Sequence, residues 1–534
     1  MSSRIVFCAA SLLFAASCAG EDWDALRAAA VDRFRPLIYN TDGCDMLQYP
    51  SNEPVCAAAF TRQRLSYALD TRISTVSYCP QSSGFGRFTC LKAGEPLLGD
   101  VPEGDKPVYN AVGAFGALGT DALQMASEFC RTNGLEIFVS VRINDQHDAC
   151  SKPGALSALY PKFKQEHPEC LMGSIDRGKN GHLFNSGCSW SCVDFTHRLV
   201  RERMKVFVGE LAENYDIDGI EYDFNRHLIL FKSVACGGVA SCEELDMMTH
   251  LLRELKDITE SAARRKRRPI VISVRTPDSV DYCKAAGIDL ERWMREKLCD
   301  IWIGGGYFLM NQWMHSADLA HRYGVRFYAS FDDSRVELEA KRRKYPYIPG
   351  RMTLPFHAAR LSAAMASGCD GVYLFNAERN RLKEIAGIRL EDLPGMDKLY
   401  FAVDRGSGGY NPWNWVKDGG RFANMPKIDP GRPLEVSSGE RCVIPLFIGD
   451  SVEGIRRFRI VVRTLTNLTD GEEVLISCNG YAAVSARTRG GLAEVPLENA
   501  WIRHGMNDFC VSMPTSRHGR VVFNDFVVAM TRKD

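Results

Sequence analysis

Through most of the chain, short runs rich in β-branched and aromatic residues alternate with stretches whose apolar residues recur three and four apart. Eight of the short runs are read as strands: Pro36 to Tyr39, Arg72 to Cys79, Ile137 to Arg142, the stretch from Asp216 that runs into Arg226 and His227, Pro269 to Arg275, Asp300 to Tyr307, Val325 to Asp333 and Gly371 to Ala377. Helices are expected at Trp23 to Phe34, Asp121 to Asn133, Thr196 to Tyr215, Glu243 to Arg264, Asp289 to Leu298, Ser316 to Tyr323 and Phe356 to Ser367. In the fourth of these, Leu245, Met248, Leu252, Leu255 and Ile258 share one helical face. Eight apolar strands separated by helices predict an α/β fold, a closed (β/α)8 TIM barrel. A doubly wound open sheet is the alternative, but no Gly-rich phosphate fingerprint follows the first strand. Gly304-Gly305-Gly306 lacks both the spacing and the Lys of a nucleotide loop, and is read as close backbone approach at a strand end.

After about Pro394 the helical periodicity stops. Short alternating runs separated by Gly, Asn and Asp take over, among them Lys398 to Val403, Arg441 to Ile448, Phe458 to Val462 and Val521 to Met530. This pattern predicts an all-β sandwich. A chain of 534 residues also exceeds what one hydrophobic core supports. The expected division is a leader at 1–19, a barrel at 20–395 and a β-sandwich accessory domain at 396–534, serving as a packing or sugar-binding module or as a lid that stabilises the barrel.

The formal net charge of zero gives no pointer to nucleic acid or an anionic membrane as partner. The one dense basic run, Arg264 to Arg268, ends a helix, where cations suit the dipole and face solvent. At the N-terminus, Arg4 followed by the apolar run Ile5 to Ala16 reads as a secretory signal with cleavage after Ala19. Export to the periplasm or beyond is therefore expected. Ala15 to Cys18 also resembles a lipobox, which makes a lipid anchor on Cys18 the alternative. No later stretch is long and apolar enough to span a bilayer. Disulfides are expected in an exported chain with 19 cysteines, with Cys188–Cys192 and Cys236–Cys242 as local candidates. Neither CxxC nor HExxH occurs, so neither a metal nor a cofactor is expected.

Residues of one parity share a strand face, so Gly219, Glu221, Asp223 and Asn225 point together, while Ile220, Tyr222 and Phe224 point the other way. In a barrel the site lies at the C-terminal ends of the strands. Polar residues collect there: Asn40, Asp42 and Asp45 after the first strand, and Arg142, Asn144, Asp145, His147 and Asp148 after the third. Glu221, Asp223, Arg226 and His227 follow on the fourth, then Arg275 on the fifth, Asp332 and Asp333 on the seventh, and Asn376 and Glu378 on the eighth. With Trp302, Tyr307 and Trp313 nearby, this set suits a polyhydroxylated ligand, since hydroxyls take polar partners and sugar faces take aromatic ones. Cleaving a glycosidic bond requires an acid for the leaving oxygen and a second carboxylate as nucleophile or base. Asp223 is expected to do direct chemistry. Glu221 lies deeper, and Asp332 is a candidate partner acid beside Asp333, Glu378, Asp145 and Asp148. The pair is expected to look into an open rim together with Arg142 and Asn144. Substrate contacts are expected from Asn40, Asp42, Arg142, Asn144, Asp145, His147, Arg226, His227, Arg275, Tyr307 and Asn376. The structural alternative is a strand end whose acids are neutralised by Arg226.

The stretches Asp218 to His227 and Val141 to Asp148 resemble those of exported bacterial glycoside-hydrolase-like barrels, the family-10-like glycosyl hydrolases with a C-terminal β-domain. The resemblance spans Pro36 to about Ala377. It implies a TIM-barrel glycosidase acting on a poly- or oligosaccharide, and fixes neither substrate nor mechanism. The fourth strand is also similar to the DGxDxDxE motif of chitinase-like barrels, whose last acid is the proton donor. Here Asn225 stands in that place, which speaks against a chitinase-type mechanism. A barrel that binds carbohydrate without cleaving it is the alternative reading.

Overall fold

The computed structural model describes residues 22–532 apart from 42–45, 48, 83, 88–94, 97–100, 104–105, 109, 186–188, 333, 378, 406–410, 426–427, 432, 465–472 and 516–518. Eight parallel strands close into a barrel in chain order: Leu37–Thr41, Thr75–Tyr78, Glu136–Arg142, Gly219–Asp223, Val271–Thr276, Ile301–Gly304, Arg326–Phe331 and Gly371–Phe375. The eight runs read as strands are these eight. Closure between the first and last excludes the open doubly wound sheet. Both strand faces are covered, which is why these segments are apolar almost throughout.

The helices pack outside. The longest, Cys242–Lys266, starts at a capping box: Ser241 Oγ accepts the Glu244 N–H at 3.2 Å, and Glu244 Oε2 accepts the Ser241 N–H at 2.8 Å. It buries Met248, Leu252 and Leu255, while Leu245 and Ile258 are half-buried. A fully buried ion pair closes the N-terminal end of the barrel. Arg35 donates to both oxygens of Glu136 at 2.7 and 2.9 Å, Thr75 Oγ1 donates to the same carboxylate at 2.9 Å, and the guanidinium lies over Phe138.

Beyond the barrel the chain forms two antiparallel sheets. One runs Lys398–Phe401, Arg520–Thr531, Arg457–Thr464, Leu492–Leu497, with Leu434–Ser437 also paired to Arg520–Thr531. The other runs Arg441–Ile448, Gly505–Ser512, Glu473–Cys478, Val484–Arg487. Strict alternation buries Phe458, Ile460 and Val462 of one sheet in the same core as Phe509 and Val511 of the other. Leu434–Ser437 and Val484–Arg487 escape the sequence reading because each is four residues long and half polar. A buried bidentate pair joins this region to the barrel: Arg351 donates to Asp525 at 2.8 and 3.0 Å.

The expected disulfides are not formed among the described cysteines. Cys236 and Cys242 are separate exposed thiols, and Cys188 lies outside the described residues. Cys130, Cys283, Cys299 and Cys369 instead fill the hydrophobic core, as thiols do when they pack as small apolar groups. The leader with Cys18 also lies outside the described residues. Among those described, no helix is long and apolar enough to cross a membrane.

Candidate active site

Strand register arranges the barrel interior in levels. Ser140, Glu221 and Ser273 are register partners, and two residues further on so are Arg142, Asp223 and Arg275. The opposite parity faces the helices: Tyr222 Oη lies 3.5 Å from Thr259 Oγ1, and Phe224 packs on Trp293. Glu221 and Asp223 therefore point inward, as the alternation predicts.

Glu221 is fully buried and accepts three hydroxyls, from Ser77 at 2.8 Å, Ser140 at 2.6 Å and Tyr373 at 2.9 Å. These donors favour the carboxylate, but burial, and after it the charge of Asp223, outweighs them and pushes Glu221 up to about 7. One level higher, Arg275 holds two acids. Its Nη1 donates to Asp223 at 3.0 and 3.2 Å, and its Nη2 to Asp332 at 3.2 and 3.4 Å. The guanidinium lies 4.0 Å from the ring centre of Phe375. Burial would lower Arg275, yet Asp223 and Asp332 overcome it and hold the cation above its ordinary range. Asp223 Oδ1 also accepts the Asn225 N–H at 2.9 Å, and Ser330 Oγ donates to Asp332 at 3.0 Å. Among the described residues of the inward face, Asn40 Nδ2, Arg275 Nε and Asn225 Oδ1 are buried without a hydrogen bond to the chain.

A second network crosses the mouth from the third and fourth strands. Arg142 Nη1 donates to Asp145 Oδ2 at 2.8 Å, and His147 Nδ1 lies 2.5 Å from Asp145 Oδ1. Arg226 Nη2 stands 2.6 Å from His147 Nε2, and its Nη1 donates to Tyr307 Oη. A guanidinium only donates, so His147 Nε2 accepts and Nδ1 carries the proton toward Asp145. His227 Nδ1 in turn accepts the Gln146 N–H at 3.3 Å. Burial would raise Asp145, but His147, Arg142 and His227 hold it well below the usual carboxylate range. Asp145, His147 and His227 bring ligand-type atoms within 4.8 Å of one another. Arg142 already pairs with Asp145 and Arg226 already occupies His147 Nε2, so a metal ion there would stand beside two guanidinium groups.

The remaining candidates divide. Asn144 spends its amide on the loops, donating to Val193 O at 2.8 Å and Ile229 O at 2.6 Å and accepting from Val193 N at 3.1 Å. Asn376 has a left-handed backbone, φ 47°, at the end of the eighth strand. Asp148 is sealed against Lys164 Nζ at 2.8 Å, both side chains fully buried. Trp302 has the outward parity and donates to Thr276 Oγ1 at 2.9 Å, and Trp313 stacks on Phe331 outside the barrel, so of the three aromatics only Tyr307 joins the network. Arg226 is engaged with His147 and Tyr307, and it is Arg275 that neutralises Asp223 and Asp332. Asp42, Asp45, Asp333 and Glu378 lie outside the described residues.

The open rim is corrected by the structure: Glu221, Asp223 and Asp332 are 0%, 1% and 3% exposed, and Arg142 and Asn144 are 1% each. The chain that follows the barrel covers the mouth. Arg405 Nη1 donates to Ser330 O at 2.8 Å and Gly306 O at 3.0 Å, Pro412 O accepts the Tyr282 hydroxyl at 2.6 Å, and Trp415 packs edge-on against His227. Sequence reasoning missed Arg405, whose neighbours carry no signal that a residue beyond the barrel returns to it. It also missed Ser77, Ser140 and Tyr373, which the inward parity of their strands could have revealed.

No family model matches the sequence, and no curated protein matches it. Among solved structures, the chain is similar to alpha-L-fucosidase isoenzyme 2 from Paenibacillus thiaminolyticus, at 10% identity and a TM-score of 0.41, over 68% of this chain and 49% of that one. It thus spans about half the length of that fucosidase chain. It is also similar to the PgaB (BpsB) glycoside hydrolase domain from Bordetella bronchiseptica, at 10% identity, TM-score 0.38, over 67% and 100% of the two chains. A noncanonic maltogenic alpha-amylase, AmyB, from Thermotoga neapolitana gives 10% identity, TM-score 0.35, over 88% and 98%.

Proposed function

We propose that this chain is an exported glycoside hydrolase that cleaves a poly- or oligosaccharide at the C-terminal end of the barrel. One observation carries the reading: Asp223 and Asp332, from strands on different sides of the fifth, converge on Arg275. In the proposed reaction the proton of one carboxyl group passes to the glycosidic oxygen as the C–O bond breaks. The other carboxylate attacks the anomeric carbon, or takes a proton from the water that does. Asp223, which Arg275 holds at 3.0 and 3.2 Å against 3.2 and 3.4 Å for Asp332, is assigned the carboxylate role, and Asp332 the acid role. Glu221, sealed beneath them, is a positioning residue. Export rests on the leader at residues 1–19.

Asp223→Asn keeps the volume and the hydrogen bond from Asn225 while removing the charge. On a glycan that the wild type cleaves, reducing-end release should fall by about 10²-fold or more, with far-UV circular dichroism unchanged. An unaltered rate rejects the assignment.

A second reading, a carbohydrate-binding barrel without hydrolytic activity, is favoured by the burial of both acids against one cation. It is the one supported if glycans bind and no reducing ends are released at high protein concentration.

A further inference from the structure

A cavity of about 380 Å³ lies beside the mouth, between the loop after the sixth barrel strand and the chain that follows the barrel. Its volume falls in the range of sites for small ligands. Tyr307 and Phe308 line it from the barrel, and Asp404, Arg405, Asn411 and Trp413 from the later chain. Two of these residues adjoin the polar networks of the barrel mouth. Tyr307 receives Arg226 through its hydroxyl, and Arg405 donates to Ser330 O at 2.8 Å, while the Ser330 hydroxyl donates to Asp332. The cavity therefore adjoins the covered mouth of the barrel, and Asp223 and Asp332 are not among its described lining residues.

We propose that this chamber binds an uncharged sugar ring, so that the segment beyond the barrel supplies half of the binding wall. The inference rests on the hydrolase reading and deepens it. Aromatic rings on two sides suit the apolar faces of a pyranose, and the Asn411 amide and the Asp404–Arg405 pair suit its hydroxyls. Among the described residues the lining carries two carboxylates, Asp404 and Asp429, against one guanidinium, Arg405. Asp404 is already held by Arg360 at 2.9 Å and Arg405 at 3.1 Å, so among the described lining residues no further cation faces a ligand carboxylate. A uronic acid would bring another negative charge into this balance.

The test uses the full-length protein and isothermal titration with maltotetraose, cellotetraose and mannotetraose as neutral probes and tetragalacturonate as the acidic one. At least one neutral tetrasaccharide should bind and the acidic one should not. Trp413→Ala should weaken binding at least ten-fold, and Ala423→Trp, which fills the cavity, should do the same, with thermal melts confirming the fold; if the first variant does not fold, the second decides. Absence of binding by every neutral probe overturns the inference, as does equal affinity for tetragalacturonate or binding that the folded variants leave unchanged. Reducing-end release in the same samples separates the two claims. Cleavage with KM unaltered in the variants sinks the chamber and spares the hydrolase; variant-sensitive binding without cleavage does the reverse.

Discussion

Glu221 is an acid whose chemistry is strongly altered by its surroundings. A free Glu gives up its proton near its ordinary 4.5, whereas the folded protein holds it to about 7. Between those values the native state binds more protons than the unfolded one, so stability falls as pH rises through this window and the full penalty stands above it. A shift of this size corresponds to roughly 3 kcal/mol. Glu221→Gln, which keeps the three hydroxyl contacts in shape, should lessen the decline: Tm of the variant should drop less than that of the wild type between pH 4.5 and 7, the remainder coming from Asp278 and Glu339, which burial also raises, to about 6 and about 7. A parallel fall in both would place the titration elsewhere. The inward direction of Glu221 and Asp223 was legible from alternation alone. Their burial was not, because it depends on partners brought in from other strands, Ser77, Ser140 and Tyr373 for Glu221 and Arg275 for Asp223, and on a later segment that covers the mouth.

At the level of elements, the strands were readable because parallel strands covered on both faces are apolar nearly end to end, and no turn chemistry competes with that signal. The charged residues at their two ends divide by role. Arg35 and Glu136 tie the first strand to the third at the N-terminal end, where no substrate is expected to reach. Glu136→Gln leaves a buried guanidinium without its counter-ion, and should cost about 3–5 kcal/mol in urea unfolding while any hydrolysis measured in the folded state keeps its pH profile. A cost below about 1 kcal/mol would show that water reaches the pair. The Gly304 to Gly306 run answers to a local cause. Gly305 O accepts the Asn225 amide at 2.7 Å, and a side chain on Gly306, at φ 155°, would overlap Asn225. It is close backbone approach, as its spacing suggests.

On the scale of the whole molecule, the change of texture after Pro394 marked the second core, yet nothing in the local pattern told how the two halves engage. They engage through groups far apart in sequence, with Arg351 and Asp525 fully buried against each other and the Ile348 N–H also given to Asp525 at 2.8 Å. Asp525→Ala should destabilise the protein by about 3–5 kcal/mol. Calorimetry of the wild type should show one transition for both halves, which the variant splits or lowers as a unit; two independent transitions in the wild type would refute the coupling. The stretch carrying Arg405 also has an origin worth following. It leaves the strand Lys398–Phe401, which is held in its sheet by Arg520–Thr531, made far later in the chain. On the ribosome, then, the eight-stranded cylinder must wait unroofed, its acids wet, until that late strand has emerged and the roof can be hung.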